Sequence, residues 1–309
     1  MNSASAGRKE VFLLAYPAGH SISPAMHAAA FASLGSDASY HAWEVPPAEL
    51  ARVIAGFRES PSFLGANVTV PHKRGVMPLL DELGAEAKSI GAVNTIVRRG
   101  GRLIGSNTDA AGFARALGEL LPPEAGRIDA RALVLGAGGS APAVVWALLN
   151  GLVEAPAAAA TAGASESTDG AGSGPRFTVG IHARRQEAAE ALVADLGGRV
   201  VTARDLRAWM VECDVLINTT PVGMQGGGLP EASPSPLPLS TLPLSAVVLD
   251  LVYRPAVTPL LEEARRTGLS HANGLAMLVW QGAASFETWT GSRAPVDVMR
   301  AAAAAALAT

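Results

Sequence analysis

The chain has 309 residues, of which 49% are hydrophobic and 17% are charged, so it is long enough for about two domains and too apolar for general disorder. Its formal net charge of −3 supplies no basic surface for nucleic acid, and small molecules are therefore the expected partners. The single cysteine, Cys213, excludes an intrachain disulfide and is expected in the core of a protein from a reducing compartment.

Neither a membrane span nor a signal sequence is recognisable in the chain. No apolar run reaches the roughly 18 residues that a spanning helix requires. Near the N-terminus, the apolar run at residues 11–15 is too short for a signal sequence. We therefore expect a cytoplasmic protein with no membrane partner.

The N-terminal part of the chain alternates short apolar strands with helical segments. Strands are predicted at residues 11–16, 39–45 and 63–70, and helices at 26–34 and 47–58 and from residue 71 onward. Pro24 suits the first position of a helix, which makes Ser23 a predicted N-cap. Ser21 and Ser23 also lie where a strand passes into a helix, so binding of a polyol is the alternative role for their hydroxyls.

Lys73 lies in the first turn of the helix expected after Pro71. A solvated surface charge is the simplest explanation, because a basic residue there costs only about 0.3 kcal/mol or slightly more against the helix dipole. Only three of the 24 basic residues are lysines, however, so a generic cation would be an arginine. Lysine, unlike arginine, can donate and recover a proton near neutral pH, and the helix dipole would favour that loss.

Polar side chains recur at or just past the ends of the predicted strands, where open α/β sheets place their sites. These residues are Asn67, Thr69, Lys73, Asn94 and Asp109. A hairpin is predicted at residues 99–101, and Thr108 is a candidate cap for a helix that runs to Leu121. Asp109 would then complement the helix dipole. Together, the polar groups would suit a polyhydroxylated acid beside a lysine–aspartate pair.

Four motifs in this half of the chain, taken in order, resemble signatures of the shikimate dehydrogenase family. They are residues 21–24 (SISP), 67–73 (NVTVPHK), 91–95 (GAVNT) and 107–109 (NTD). The resemblance continues to about residue 290. It implies reversible reduction of 3-dehydroshikimate to shikimate by NADPH, with Lys73 protonating the developing alkoxide and Asp109 orienting and charge-stabilising Lys73. It also implies that the substrate is held by Ser21, Ser23, Asn67, Thr69, Asn94, Tyr253 and Gln281.

An apolar strand ends in Gly136-Ala137-Gly138-Gly139 and is followed, from Ser140, by a helical stretch. Strand, glycine turn and helix form an anion-binding turn, because the missing Cβ atoms let the backbone approach a pyrophosphate and the helix N–H groups face it. The third position of the dinucleotide fingerprint falls on Ala141, which the pattern allows. An ordinary tight turn is the alternative.

The next strand is predicted at residues 176–182, after an Ala/Gly/Ser-rich insertion at 151–175. The residues at its end indicate whether the cofactor is NAD or NADP. The fingerprint expects an acid there for the ribose 2′-hydroxyl, but Ala183, Arg184 and Arg185 take its place. Arginine suits a 2′-phosphate, so NADP is the expected cofactor; two solvated arginines are the alternative. NADP-using members of the family usually carry Asn-Arg-Thr, so only Arg184 matches directly.

The remaining elements are strands at residues 213–220 and 246–251 and helices at 260–267 and from 274. By resemblance, Thr220 and Met224 lie in the loop beneath the cofactor, Tyr253 lies against the substrate, and the Gly274 carbonyl meets the nicotinamide amide. Gln281 would bind substrate from the last long helix; a polar position on an amphipathic helix is its alternative role.

The sequence therefore predicts a two-domain α/β enzyme. Residues 1–110, completed by the helices of 275–309, form a substrate-binding and catalytic domain, and residues 111–274 form a doubly wound, Rossmann-like NADP-binding domain. No metal is expected, because the histidines lack close pairing. The alternatives are an NAD-dependent quinate/shikimate dehydrogenase and a catalytically silent NADP-binding sensor; the presence of both Lys73 and Asp109 argues against the sensor. A homodimer is an option that the sequence leaves open.

Overall fold

The computed structural model describes residues 8–19, 21–121, 130–153, 177–225 and 237–308. The chain divides into two compact units: the first contains Met1–Thr108 and Gln281–Thr309, and the second contains Asp109–Trp280. Most of the predicted insertion at 151–175 lies outside the described residues. In the part of the chain that is described, no helix has both the length and the apolarity needed to cross a bilayer.

The elements follow the order expected of α/β units. The strands are β1 (Glu10–Ala15), β2 (Ser39–Glu44), β3 (Phe63–Val68), β4 (Glu82–Leu83), β5 (Thr95–Arg99), β6 (Arg102–Ser106), β7 (Arg131–Leu135), β8 (Thr178–His182), β9 (Arg199–Val200), β10 (Val215–Asn218), β11 (Val247–Asp250) and β12 (Ser270–Asn273). The α-helices are α1 (Ser23–Ser33), α2 (Leu50–Glu59), α3 (Ala85–Ile90), α4 (Asp109–Leu120), α5 (Ala141–Leu149), α6 (Gln186–Leu196), α7 (Leu206–Val211), α8 (Pro259–Arg266), α9 (Leu275–Thr290) and α10 (Val296–Leu307).

The first unit contains a mixed sheet in the strand order β2-β1-β3-β5-β6-β4. β1 pairs in parallel with β2 and β3, whereas β5 is antiparallel to β3 and β6. The carboxyl ends of β3 and β6 therefore lie at the same edge of the sheet as the amino end of β5. Apolar side chains fill the core, where the rings of Phe57 and Phe63 stack with centroids 3.9 Å apart.

The second unit contains an all-parallel sheet in the order β12-β11-β10-β7-β8-β9. The chain winds outward from β7 to β9 and then returns to β10 on the other side of β7, which confirms the predicted doubly wound topology. Ligands of such sheets bind at the carboxyl ends of the strands, where the winding reverses. Cys213 is fully buried in the core of this unit, as predicted, and burial raises the pKa of its thiol to about 12.

One predicted helix is wrong. Residues after Pro71 form turns and reach only a short 3₁₀ segment at Met77–Leu79. Hydrogen bonds to distant residues compete with those of a helix there. The His72 ring is hydrogen-bonded to the Val45 carbonyl at 2.8 Å, and the Val93 N–H donates to the Lys73 carbonyl at 2.9 Å. Lys73 therefore lies at no helix N-terminus, and the dipole argument for its proton loss fails.

Candidate functional site

Polar side chains collect at one edge of the first sheet. Asn67 on β3 is opposite Thr95 on β5, and Thr95 is opposite Ser106 on β6. Asn94 precedes β5 and Thr108 follows β6, so the antiparallel pairing brings them to the same edge. All but Ser106 are at least nine-tenths buried, and buried polar groups require hydrogen-bond partners.

The Asn67 amide is held from both sides. Its Oδ1 accepts a hydrogen bond from the Tyr40 hydroxyl at 2.9 Å. Its Nδ2 donates to the Ser285 hydroxyl at 3.0 Å and lies 3.3 Å from the Thr95 hydroxyl. Ser285 lies on α9, so residues distant in sequence fix the orientation of this predicted substrate ligand.

The Asn94 amide, itself a predicted substrate ligand, joins one more of them, Gln281, to this network. Its Oδ1 accepts from the Thr108 backbone N–H at 2.7 Å and from the Thr95 hydroxyl at 3.0 Å. Its Nδ2 donates to the Thr108 hydroxyl at 3.0 Å and more weakly to Gln281 Oε1 at 3.4 Å. At 3.4 Å, the bond between Asn94 and Gln281 is the longest of these four and therefore the weakest.

Ser23 of the first motif does not have the predicted capping role. α1 begins at Ser23 itself, and no side chain caps it, so the prediction of Ser23 as the N-cap is wrong. Its backbone N–H donates instead to Ser21 Oγ at 3.2 Å, and its side chain is buried. Thr69, just beyond β3, is half-buried, and its N–H donates to the Leu14 carbonyl.

Lys73 and Asp109 are among the least exposed charged residues, at 9% and 6% of their surface. Lys73 belongs to the first unit, whereas Asp109 is the first residue of α4 and of the second unit. Burial of ionisable side chains is costly unless they are paired or hydrogen-bonded. Their pairing with each other stays a prediction.

The glycine turn of the second unit has the predicted strand–turn–helix arrangement, with β7 before it and α5 after it. Gly136 has φ +103°, and a Cβ there would lie 2.7 Å from Thr220 Cγ2, so no larger residue fits. Gly138 is exposed, and a Cβ there would meet nothing within 4 Å. Ala137, Gly139 and Ser140 complete a turn whose backbone is open on one side.

A cavity of about 270 Å³ lies beyond the carboxyl end of β8. His182, Arg184, Gln186 and Thr202 are among the residues that line it. The His182 ring is fixed by a 2.8 Å hydrogen bond between its Nδ1 and the Val201 carbonyl. Both Arg184 and Arg185 are exposed as α6 begins, and Arg184 is the one that lines the cavity.

A buried carboxylate that the sequence reasoning missed organises the other loops of this unit. Asp250 is fully buried at the end of β11, and it accepts from Asn218 Nδ2 at 2.9 Å, the Thr258 hydroxyl at 2.6 Å and the Val252 N–H at 3.0 Å. Burial raises the pKa of the carboxyl, and these donors oppose the shift. A charged residue ending an apolar strand was the signal available in the sequence.

Through Asn218, this carboxylate is linked to Thr220, and the other residues of this unit that were predicted to bind ligands lie in the neighbouring loops and at Gly274. Asn218 Oδ1 accepts from the Thr220 hydroxyl at 2.7 Å. Tyr253, one residue beyond Val252, is half-buried, and burial raises its pKa while the nearby Arg254 lowers it. Met224 is 41% exposed. Gly274 is buried, and a Cβ there would lie 2.1 Å from the Leu251 carbonyl oxygen, so the close approach of these segments requires glycine.

The described residues contain no group of three or more histidine, cysteine or acidic side chains arranged to hold a metal.

Models of known protein families match both ends of the chain. A family model for the shikimate dehydrogenase substrate binding domain matches residues 13–96, and one for the shikimate 5′-dehydrogenase C-terminal domain matches residues 274–304.

Full-length relatives and a solved structure are similar over nearly the whole chain. A shikimate dehydrogenase (NADP(+)) of Symbiobacterium thermophilum is 47% identical, covering 96% of this chain and 93% of the relative. One from Desulforamulus reducens is 41% identical over 93% of this chain and 92% of its own. The crystal structure of shikimate 5-dehydrogenase from Thermus thermophilus with NADP(H) and shikimate has a TM-score of 0.78 and 38% identity, covering 97% and 100% of the two chains.

Proposed function

Because the chain belongs to the shikimate dehydrogenase family, we propose that it catalyses the reversible NADPH-dependent reduction of 3-dehydroshikimate to shikimate. This reaction is a step of the shikimate pathway to aromatic amino acids. The observation that carries the proposal is the polar network of the first unit, in which the predicted substrate ligands Asn67 and Asn94 lie at one sheet edge and Gln281 of α9 contacts Asn94. Amide groups held in this way suit a ring with several hydroxyls.

Residues of the first unit supply the groups that the substrate requires. We assign the ring hydroxyls and the carboxylate to Ser21, Ser23, Asn67, Thr69, Asn94 and Gln281, with Tyr253 contributing from the second unit. Ser23 is free of a capping role, because its side chain makes no cap hydrogen bond. The hydrogen bond between Asn94 and Gln281 is long, at 3.4 Å, so a substrate hydroxyl can compete with it.

The chemistry needs a proton donor beside the carbonyl oxygen. NADPH, when bound, supplies a hydride. We assign the proton to the Lys73 ammonium, which gives it to the developing alkoxide and recovers it in the reverse direction, and we assign stabilisation of that ammonium to Asp109. Proton transfer from a positioned side chain contributes about 10²–10⁴ in rate. The near-complete burial of both residues supports a role other than solvation.

The second unit has the features expected of an NADP-binding domain. The exposed backbone at Gly138 leaves space for a pyrophosphate near the start of α5, where helix N–H groups favour an anion. Arg184 lines the cavity beyond β8, where its guanidinium suits a 2′-phosphate. We assign Gly136, Ala137, Gly138, Gly139, Ser140, Arg184, Arg185, Thr220, Met224 and Gly274 to the cofactor.

One set of assays tests the proposal. The purified protein is given shikimate or quinate with NADP⁺ or NAD⁺, and formation of the reduced nicotinamide is followed by its absorbance. We expect turnover with shikimate and NADP⁺ to exceed the other three combinations. Preferred turnover of quinate with NAD⁺ would instead identify a quinate/shikimate dehydrogenase. NADP⁺ binding in calorimetry without turnover of either acid would identify a sensor.

We also propose that the protein works in the cytoplasm as an enzyme of small molecules, without nucleic acid or membrane partners. Cys213 is buried and forms no disulfide, which is compatible with a reducing compartment. Light scattering coupled to size-exclusion chromatography distinguishes a monomer from the homodimer that the sequence leaves open.

A further inference from the structure

Tyr40 holds one of the predicted substrate ligands although it was not among them. It lies on the edge strand β2 and is 6% exposed. Its hydroxyl donates to Asn67 Oδ1 at 2.9 Å. Burial raises the pKa of the phenol, and the nearby Ser23 side chain opposes that shift. The Tyr40 oxygen thus orients the Asn67 amide.

The ring that carries this hydroxyl is firmly packed. His27 stacks on it, with centroids 4.4 Å apart and the planes 11° from parallel, and the Trp289 ring lies 6.1 Å away. Trp289 is itself fixed by a 2.9 Å hydrogen bond from Nε1 to the Ile96 carbonyl. The phenol therefore has little freedom to turn its hydroxyl away from Asn67.

The opposite side of the Asn67 amide is held equally well. Ser285 accepts from Asn67 Nδ2 at 3.0 Å and donates to the Gln281 carbonyl at 2.9 Å. The remaining Nδ2 hydrogen is directed at Thr95 and the Asn94 carbonyl, each 3.3 Å from the nitrogen. Both donors of the amide are used within the protein. Oδ1 accepts one hydrogen bond, from Tyr40, so the second of its two lone pairs can accept from a ring hydroxyl.

We propose that the Tyr40 hydroxyl is a positioning group for substrate: it holds the Asn67 amide in the orientation in which it binds the hydroxylated acid. This inference rests on the proposed function, in which Asn67 binds shikimate. Tyr40 acts through this side chain. Its loss leaves Oδ1 of Asn67 without its donor, so the amide gains freedom that binding must remove.

The test is Tyr40→Phe, which removes one oxygen atom and keeps the packed ring. Loss of a neutral hydrogen bond predicts an increase of about 3- to 10-fold in the KM and Kd for shikimate, while kcat and the KM for NADP⁺ change less than about twofold. Tyr16→Phe is the matched control, because Tyr16 is 46% exposed; this variant should behave as wild type.

A second variant removes the hydroxyl that accepts from Asn67 Nδ2, on the other side of the same amide. Ser285→Ala should also raise the KM for shikimate selectively. Thr288→Ala is its control, since Thr288 lies on the same helix and, like Ser285, donates to the carbonyl four residues earlier. Because Tyr40 acts through Asn67, adding Tyr40→Phe to Asn67→Ala should cost clearly less than it does in the wild type.

The outcomes separate this inference from the function on which it rests. An active wild type whose shikimate KM is unchanged by Tyr40→Phe would overturn the positioning role alone. Equal increases in both KM values, or full additivity with Asn67→Ala, would also overturn it and leave Tyr40 a packing residue. A wild type that does not oxidise shikimate would remove the proposed function and this inference together.

Discussion

The two units prepare for their ligands in different ways. At the edge of the first sheet, side chains such as Asn67, Asn94 and Ser285 hydrogen-bond one another and are buried. In the second unit, the turn after β7 presents exposed backbone at Gly138, and Arg184 is exposed at the start of α6. A hydroxylated ring requires donors and acceptors in fixed directions, whereas a phosphate is held by backbone N–H groups and positive charge. Substitutions that test ligand binding should therefore alter hydrogen-bonding side chains in the first unit, and positive charge or backbone access in the second.

The largest effect is expected at Lys73 of the first unit, the proposed proton donor. Lys73→Ala should lower kcat by at least about 10², because no other assigned group replaces the ammonium, while the Kd for shikimate rises less than about tenfold. Stopped-flow and calorimetric measurements separate the two quantities. Lys88→Ala, at an exposed position on α3, is the control and should retain full activity. An unchanged kcat in Lys73→Ala would exclude Lys73 as the proton donor.

In the second unit, the sharpest test of charge is Arg184→Ala. A charge-assisted hydrogen bond contributes about 1.5–3 kcal/mol, so the KM for NADP⁺ should rise roughly 10- to 100-fold, while the KM values for NAD⁺ and shikimate change little. Arg266→Ala, at an exposed position on α8, tests for a nonspecific effect of charge. Parallel increases in the KM values for NADP⁺ and NAD⁺ would contradict recognition of a 2′-phosphate by Arg184.

The backbone contribution of the second unit is tested at two glycines. Gly138→Ala adds a methyl group that meets no protein atom, so the melting temperature should stay unchanged while the affinity for NADP⁺ falls about tenfold, or ~1.4 kcal/mol. Gly136→Ala is the contrasting variant, because its φ of +103° and its contact with Thr220 should lower the melting temperature as well. Full NADP⁺ affinity in Gly138→Ala would show that the pyrophosphate binds elsewhere.

The smallest effect at neutral pH is expected from His27 in the first unit. Burial lowers its pKa from 6.5 to about 3, and neither ring nitrogen has a hydrogen-bond partner among the described residues. Between pH 6.5 and about 3, the His27 ring is protonated in the unfolded chain but stays neutral in the folded protein. The free energy of unfolding should therefore fall as the pH decreases through this range, by up to about 1.4 kcal/mol per pH unit.

Chemical denaturation at several pH values measures that slope. His27→Phe, which keeps a ring against Tyr40, should flatten it, whereas His41→Phe at an exposed position on β2 should leave it as in the wild type. The same slope in His27→Phe and wild type would assign the acid sensitivity to other groups.

Local patterns predicted much of the fold, because strands, the hairpin and the glycine turn depend on neighbouring residues. The failures are tertiary. The chain after Pro71 forms turns because the His72 ring is hydrogen-bonded to the Val45 carbonyl and the Lys73 carbonyl accepts from the Val93 N–H. The sequence near residue 71 does not indicate these distant partners. β12 was missed for a similar reason: its residues Ser270–Asn273 are polar or partly exposed and become a strand by pairing with β11.

The candidate site shows the same division. Motifs indicated Asn67 and Asn94, but Ser285 is 218 residues from Asn67 and carries no local sign of its role. Tyr40 reads as an ordinary strand residue, and Asp250 as the end of an apolar strand. Each acquires its role only when distant elements meet, so supporting residues are harder to infer from sequence than the ligands that they orient.

The burial of Cys213 has a practical consequence. As the only sulfhydryl in the chain, and one with no exposed surface, it cannot react with an alkylating reagent until the second unit opens around it. The rate of alkylation therefore reports directly on transient opening of that unit, without any engineered label. Comparing this rate with and without NADP⁺ would measure how strongly the nucleotide holds the unit closed.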